Sequence, residues 1–146
     1  MSESELRAAA EAVGERYDRA MMLEARRRTR EAIAEVSRPI VPGMAEIDAV
    51  ALTKSVLREA GMVRGWHAVH VRFGSNTLKN FGEPSEPGVV LGDDDIYFID
   101  VGPVWKDWEA DAGDTFVVGR DPDMQRIARD VHVVFDRVRQ RWRKEG

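Results

Sequence analysis

The 146-residue chain contains no cysteine. Disulfide cross-links and thiolate-held zinc are therefore excluded, and a disulfide-stapled secreted scaffold is not expected. Also missing is any apolar run approaching the ~20 residues that a membrane-spanning helix needs. The opening residues, "MSESELRAAAEAVGERYDRA", are charged and carry no apolar segment of the secretory-leader type. These absences predict a cytoplasmic protein without a membrane partner. An excess of positive charge is lacking too. The 22 Lys and Arg are outnumbered by 26 Asp and Glu, giving a formal net charge of -4, which gives no reason to expect nucleic acid as a partner. Aromatics make up only 8% of the chain, yet two of its four tryptophans, Trp105 and Trp108, fall inside one short acidic link.

What is present suits one globular domain with a real core, since 43% of residues are hydrophobic and 33% are charged. Residues 3–37 are rich in Ala, Glu, Arg and Leu and predict a helical segment, with Leu6, Val13, Tyr17 and Met21 at helical spacing and Ile33 and Val36 continuing the stripe. Gly14 is a candidate break. Pro39, Pro42 and Gly43 punctuate the chain. A second helix is expected in "AEIDAVALTKSVLREAGM", with Ile47, Val50, Ala51 and Leu57 roughly on one side and Gly61 as its C-terminal stop. Its start has no Ser, Thr, Asp or Asn to cap it.

From Trp66 the pattern changes to period two. In "WHAVHVRFG", His67, Val69, Val71 and Phe73 share one side of a predicted strand, while Trp66, Ala68, His70 and Arg72 share the other. A long irregular stretch follows, "SNTLKNFGEPSEPGVVLGDDD", of the kind that is usually functional inside a compact domain. Asp93, Asp94 and Asp95 read as a polar turn. Two further strands are expected in "IYFIDVG" and "AGDTFVVG", and a closing helix starts at Pro122. Met124, Ile127, Ala128, Val131, Val134, Phe135 and Val138 form that helix's apolar face. Helices, then strands, then a helix predict an α+β fold, a mostly antiparallel sheet covered by helices.

The chemistry concentrates in "YFIDVGPVWKDWEADAGD". Alternation puts Tyr97, Ile99 and Val101 on one face of the strand and Phe98, Asp100 and Gly102 on the other. A carboxylate beside Phe98 needs a partner, either hydrogen-bonding and ionic or a metal ion. If the link is a hairpin connection, Asp111 returns to the same sheet end, and two oxygen ligands there suit a divalent ion. Asp107, Glu109 and Asp114 are expected to be solvated turn residues. His132 is expected to be a surface or packing residue on the closing helix.

These residues resemble a known family. "GDDDIYFIDVGPVWKDWEADAGDTFVVG" is similar to the metal-binding hairpin of the pita-bread metallopeptidases, which include aminopeptidase P, Xaa-Pro dipeptidase, methionine aminopeptidase and creatinase. The correspondence runs through Gly92-Asp93, Asp100-Val101-Gly102, Asp111, Thr115-Phe116 and Val118-Gly119. "IVPGMAEIDAVALTKSVLREAG" resembles the family's preceding helices, and "FGSNT" its Gly-x-Asn strand end. The resemblance implies metal-assisted hydrolysis of a peptide or amide bond, with Mn, Co, Zn or Fe as cofactor. It implies Asp100 as the terminal and Asp111 as the bridging carboxylate ligand of a two-metal site. It covers most of the chain, from about Arg26 to the final helix, and implies that residues 38–146 form the first half of the family's pseudo-symmetric domain, preceded by the helical segment 1–37. The family's remaining His and two Glu ligands lie in the other half, and no catalytic residue is assigned beyond the two Asp ligands. The family's substrate-contacting His, a few residues after Asn76, is replaced by Leu78, Lys79, Asn80 and Phe81. His67 and His70 precede Asn76 and match nothing in the pattern. The alternative expectation is a non-catalytic half-domain that homodimerises or binds a protein partner.

Overall fold

A computed structural model describes residues 16–65 and 67–145. Leu6, Val13, Gly14 and Trp66, used above, lie outside the described residues. The elements are α1 (Arg19–Ser37), α2 (Glu46–Glu59), β1 (Val63–Arg64), β2 (His70–Phe73), a 3-10 turn (Gly74–Leu78), β3 (Asp95–Val101), β4 (Pro103–Trp105), β5 (Trp108–Glu109), β6 (Ala112–Val118) and α3 (Pro122–Glu145). The predicted α+β class, with an antiparallel sheet and covering helices, is what the chain adopts.

The first helix starts later than its composition predicts. Asp18 has extended backbone and its carboxylate accepts from the amides of Ala20, at 2.7 Å, and Met21, at 3.2 Å. That cap sets the start at Arg19, so Tyr17 precedes the helix and meets Trp108 edge-on at 5.8 Å. Ala25, Thr29, Ala32, Ile33 and Val36 are buried, spaced to keep one stripe on the core. The second helix ends as expected. Gly61 has φ +70, its amide bonds Arg58 O, and the Met62 amide bonds Leu57 O, a paired closure that needs a left-handed residue. Its buried face differs from the expected one: Ile47 is 77% exposed, while Glu46, Ala49, Thr53 and Leu57 are buried. The rotation follows from Glu46, whose carboxylate accepts from the Phe73 amide at 2.7 Å and from the Asn76 side-chain amide at 3.0 Å.

The main sheet has the order β2-β3-β6, all antiparallel. Val71, Phe73, Tyr97, Ile99 and Val101 bury one face against α1 and α2, each large side chain contributing roughly 1.5–3 kcal/mol. The register pairs His70 with Asp100 and Asp100 with Gly113. The expected strand 66–73 is cut to its last four residues, because residues 63–64 instead pair with β4 in a second small sheet, β1-β4-β5. Within that sheet the link between the two Asp-bearing strands folds into its own hairpin. Its two turn residues, Lys106 and Asp107, both have positive φ (48 and 68), which fits the twist of a two-residue connection.

The irregular stretch is held by polar anchors. Arg72, only 4% exposed, donates to the carbonyls of Lys79, Asn80 and Glu83. Asn76, fully buried, bonds Glu46 and both the amide and the carbonyl of Glu86. The last helix departs most from expectation. Asp121 caps it through the amides of Asp123 and Met124, but none of its residues is buried. Val131, Val134, Phe135, Val138 and Trp142 are exposed among the described residues.

Candidate functional site

Asp100 lies near the end of the central strand, on the face opposite the one buried against α1 and α2, as alternation predicts. Asp111 immediately precedes β6 and has the same parity as Gly113, the residue paired with Asp100. Both carboxylates therefore face the same side at the same sheet end. The small β4-β5 hairpin makes this return, bringing the chain back by the length of two short strands. A Cβ on Gly113, opposite Asp100, would press on the Ile99 carbonyl at 3.0 Å and meet the Asp100 Cβ at an ordinary 3.6 Å.

The Asp100 side chain makes no hydrogen bond or ion pair with another described residue. Burial pushes its carboxyl above the usual carboxylate range, and the nearby Asp111 charge adds to the rise. His70 and His67 oppose it. No described Lys or Arg is among the groups that act on it. Two like charges on a partly buried face are the donor set a divalent cation would relieve, so the pair fits part of a metal site. Among the described residues, no group of three or more His, Asp or Glu side chains is gathered closely enough to hold a metal outright.

Two residues at this end escape sequence reasoning. His67 belongs to no strand; it sits in the bend between β1 and β2, and its Nδ1 lies 2.6 Å from Glu109 Oε1. Its Nε2 lies 3.5 Å from Asp111 Oδ2. The hydrogen bond to Glu109 raises the His67 pKa above its ordinary value. Glu109, expected to be a solvated turn residue, is instead partly buried in β5. Their contact spans 42 residues of chain, and only the pairing of β1 with β4 and of β4 with β5 brings them together. No local signal announces it. Asp107 is exposed in its turn as expected, whereas Asp114 lies in β6, 3.3 Å from His132 Nε2 of α3. His132 is 62% exposed and so a surface residue, as its sequence context indicates.

Beside Asp100, the ring of His70 rests 5.5 Å from that of Phe81. Phe81 and Leu78 are strongly exposed although their loop is anchored. A cleft of 580 Å³ is lined by His67 with Leu57, Met62, Val69, Pro103, Lys54 and Arg58. No described helix is long and apolar enough to cross a membrane.

A profile of metallopeptidase family M24 matches residues 20–145. A search of curated proteins found no match. Among solved structures, the chain resembles an X-Pro aminopeptidase from Thermotoga maritima at 20% identity and TM-score 0.68, covering 83% of this chain and 33% of that one. It resembles a methionine aminopeptidase from the same organism at 24% identity and TM-score 0.66, covering 80% and 49%. The prolidase of Pyrococcus horikoshii OT3 gives 16% identity and TM-score 0.70, covering 85% and 35%. The chain thus spans between a third and a half of the length of these structures. They share its helix-covered antiparallel fold, and with the profile match over 20–145 the chain belongs to metallopeptidase family M24.

Proposed function

We propose that this chain contributes the two-carboxylate part of a metal-dependent hydrolase of the aminopeptidase P or Xaa-Pro peptidase type. The substrate class is a peptide or small amide. One observation carries the reading: Asp100 is half-buried, has no described Lys or Arg acting on it, and shares its face with Asp111. Asp100 and Asp111 would hold the ion, with Mn, Co, Zn or Fe as candidates. When bound, such an ion activates water and polarises a carbonyl. The chain's own part is to present two carboxylates from a rigid sheet end. The anchored loop with Leu78 and Phe81 borders the same face. The test is Mn²⁺ titration calorimetry on the wild-type chain, Asp100→Asn and Asp111→Asn. The reading expects binding by the wild type that either substitution removes; binding equal in all three would overturn it.

A second reading is favoured by the uncovered apolar face of α3. A non-catalytic half-domain would cover that face with a second copy of itself. Solution mass decides this: the reading expects a dimer that Val134→Glu with Val138→Glu converts to monomer, at little cost to the exposed helix.

A further inference from the structure

The main sheet ends in a bare edge. Among the described residues β6 has one strand neighbour, β3, and none of the β6 residues is buried. β2 closes the other end of the sheet with Val71, Arg72 and Phe73 buried. An edge strand presents unpaired N–H and C=O groups, which form a template for a further strand. We propose that β6 is a docking edge for a second copy of this chain, whose own β6 adds antiparallel to it and joins the two sheets into one. The proposal rests on the reading that a second copy covers α3, and adds to it the strand edge at which the copies meet.

Local hydrogen bonding indicates which groups face the edge. The Thr115 amide donates to the Asp114 side chain at 2.8 Å. An amide answered from within its own strand is one that points away from β3. Alternation then turns the N–H and C=O groups of Gly113, Thr115 and Val117 to the open side, while Asp114 and Phe116 pair inward with Ile99 and Tyr97. Asp114 has a second partner in His132 Nε2 at 3.3 Å, so its carboxylate keeps a contact when a strand takes the amide.

The space beside this edge is open. A groove of 670 Å³ is lined by residues 112–116 of β6, with Ile33 of α1 and Val131 and Phe135 of α3. The exposed stripe of α3 continues through Val134, Val138 and Trp142. An added strand gains main-chain bonds from β6 and apolar cover from α3, the two components of recognition by strand addition.

Two features point to a second copy as the occupant. A two-fold axis through Thr115 is self-complementary. It sets Thr115 against the partner's Thr115, a favourable cross-strand pair, and Gly113 against the partner's Val117, small against large. The charges of α3 suit the same axis. Its N-terminal end carries the capping Asp121 and then Asp123, and its last turn carries Arg143 and Lys144. Two antiparallel copies therefore set the basic end of each helix against the acidic end of the other.

The experiment is sedimentation equilibrium on the wild type, Thr115→Pro, Thr115→Lys and the double variant Val134→Glu with Val138→Glu, each first checked for folding by circular dichroism. Because the chain has no cysteine, Thr115→Cys and Val117→Cys each carry a single thiol for oxidative cross-linking. The inference expects a wild-type dimer whose dissociation constant rises about tenfold or more in Thr115→Pro, which lacks the edge donor. It expects a covalent dimer of Thr115→Cys that Val117→Cys does not form, because the axis brings only residue 115 to its own copy. A dimer that the α3 double variant dissociates while neither Thr115 variant weakens it would overturn the strand edge and leave the helix reading standing. Equal cross-linking of the two cysteine variants would overturn the two-fold at Thr115, and the proposal with it. A folded wild type that stays monomeric would overturn both readings. If Thr115→Pro fails to fold, Thr115→Lys carries the comparison, because like charges directly opposite repel while the pairing with β3 is kept.

Discussion

Glu46→Ala is expected to be among the most damaging single substitutions in this chain. Glu46 opens α2 yet is only 7% exposed. Its carboxylate accepts from the Phe73 amide at 2.7 Å and from the Asn76 side chain at 3.0 and 3.1 Å. Alanine removes the acceptor and leaves two buried donors without a partner, each costing about 1–3 kcal/mol. The sum is roughly 2–6 kcal/mol, a large share of the ~5–15 kcal/mol that holds a domain of this kind together. Glu46→Gln keeps one acceptor oxygen and should cost less, about 1–2 kcal/mol. The effect should also spread beyond the contact. Asn76 in turn holds the amide and carbonyl of Glu86, so the loop through residues 79–86 should open before the sheet does. Urea denaturation followed by tryptophan fluorescence measures the first effect, and amide hydrogen exchange over 79–88 measures the second. A shift in Glu46→Ala worth less than about 1 kcal/mol, with unchanged exchange in that loop, would refute the hub role of Glu46.

Two further outcomes follow from the site. Gly102→Ala should displace the His67 ring, because the new methyl would sit 2.6 Å from Nδ1; a loss of about 1–3 kcal/mol is expected, and an unchanged melting temperature would show that His67 moves at no cost. Asp100→Asn should stabilise the metal-free chain at neutral pH, with the difference from wild type measured by denaturation in EDTA. The sign follows from the raised Asp100 pKa: the folded chain binds its proton more tightly than the unfolded one, so this group's contribution is favourable below the ordinary carboxylate range and is lost as pH rises through the folded value. The gap between variant and wild type should therefore close as pH falls below about 4; a wild type more stable than Asp100→Asn at pH 7 would contradict it.

The period-two pattern of 95–101 was enough to place Asp100 on the uncovered face, because a strand's alternation has no freedom once its inner residues are known. The positions of Asp111 and Gly61 were legible for similar local reasons. The buried face of α2 was not. Apolar spacing favoured Ile47 over Glu46, and only the distant Phe73 and Asn76 explain why the carboxylate turns inward. The shortening of the strand at 66–73 has the same origin, since residues 63–64 find their partners in β4, some forty residues away. His67 and Glu109 become neighbours through that pairing, which no pattern within either segment reveals. The sequence of α3 shows its apolar stripe, but amphipathicity reports which residues share a face and not what covers it.

The contrast between two polar clusters strengthens the functional reading of Asp100. Around Glu46, Asn76 and Arg72, nearly every buried polar group is answered: carboxylate by amides, guanidinium by three carbonyls, with only the Arg72 Nε left over. The chain is therefore capable of satisfying polar groups inside its fold, and it does so where they fasten the loop. At the sheet end, a few residues away, it leaves Asp100 half-buried beside Asp111 with no Lys or Arg among the described residues acting on it. A carboxylate kept for structure alone would gain from an arginine or from backbone donors at that position. Local rules broken in one place and kept in the next are the mark of a site whose missing partner is a ligand. If that account is right, supplying a divalent cation should raise the denaturation midpoint of the wild type and leave Asp100→Asn unmoved. A midpoint insensitive to the ion in both proteins would mean that the carboxylate pair is simply tolerated.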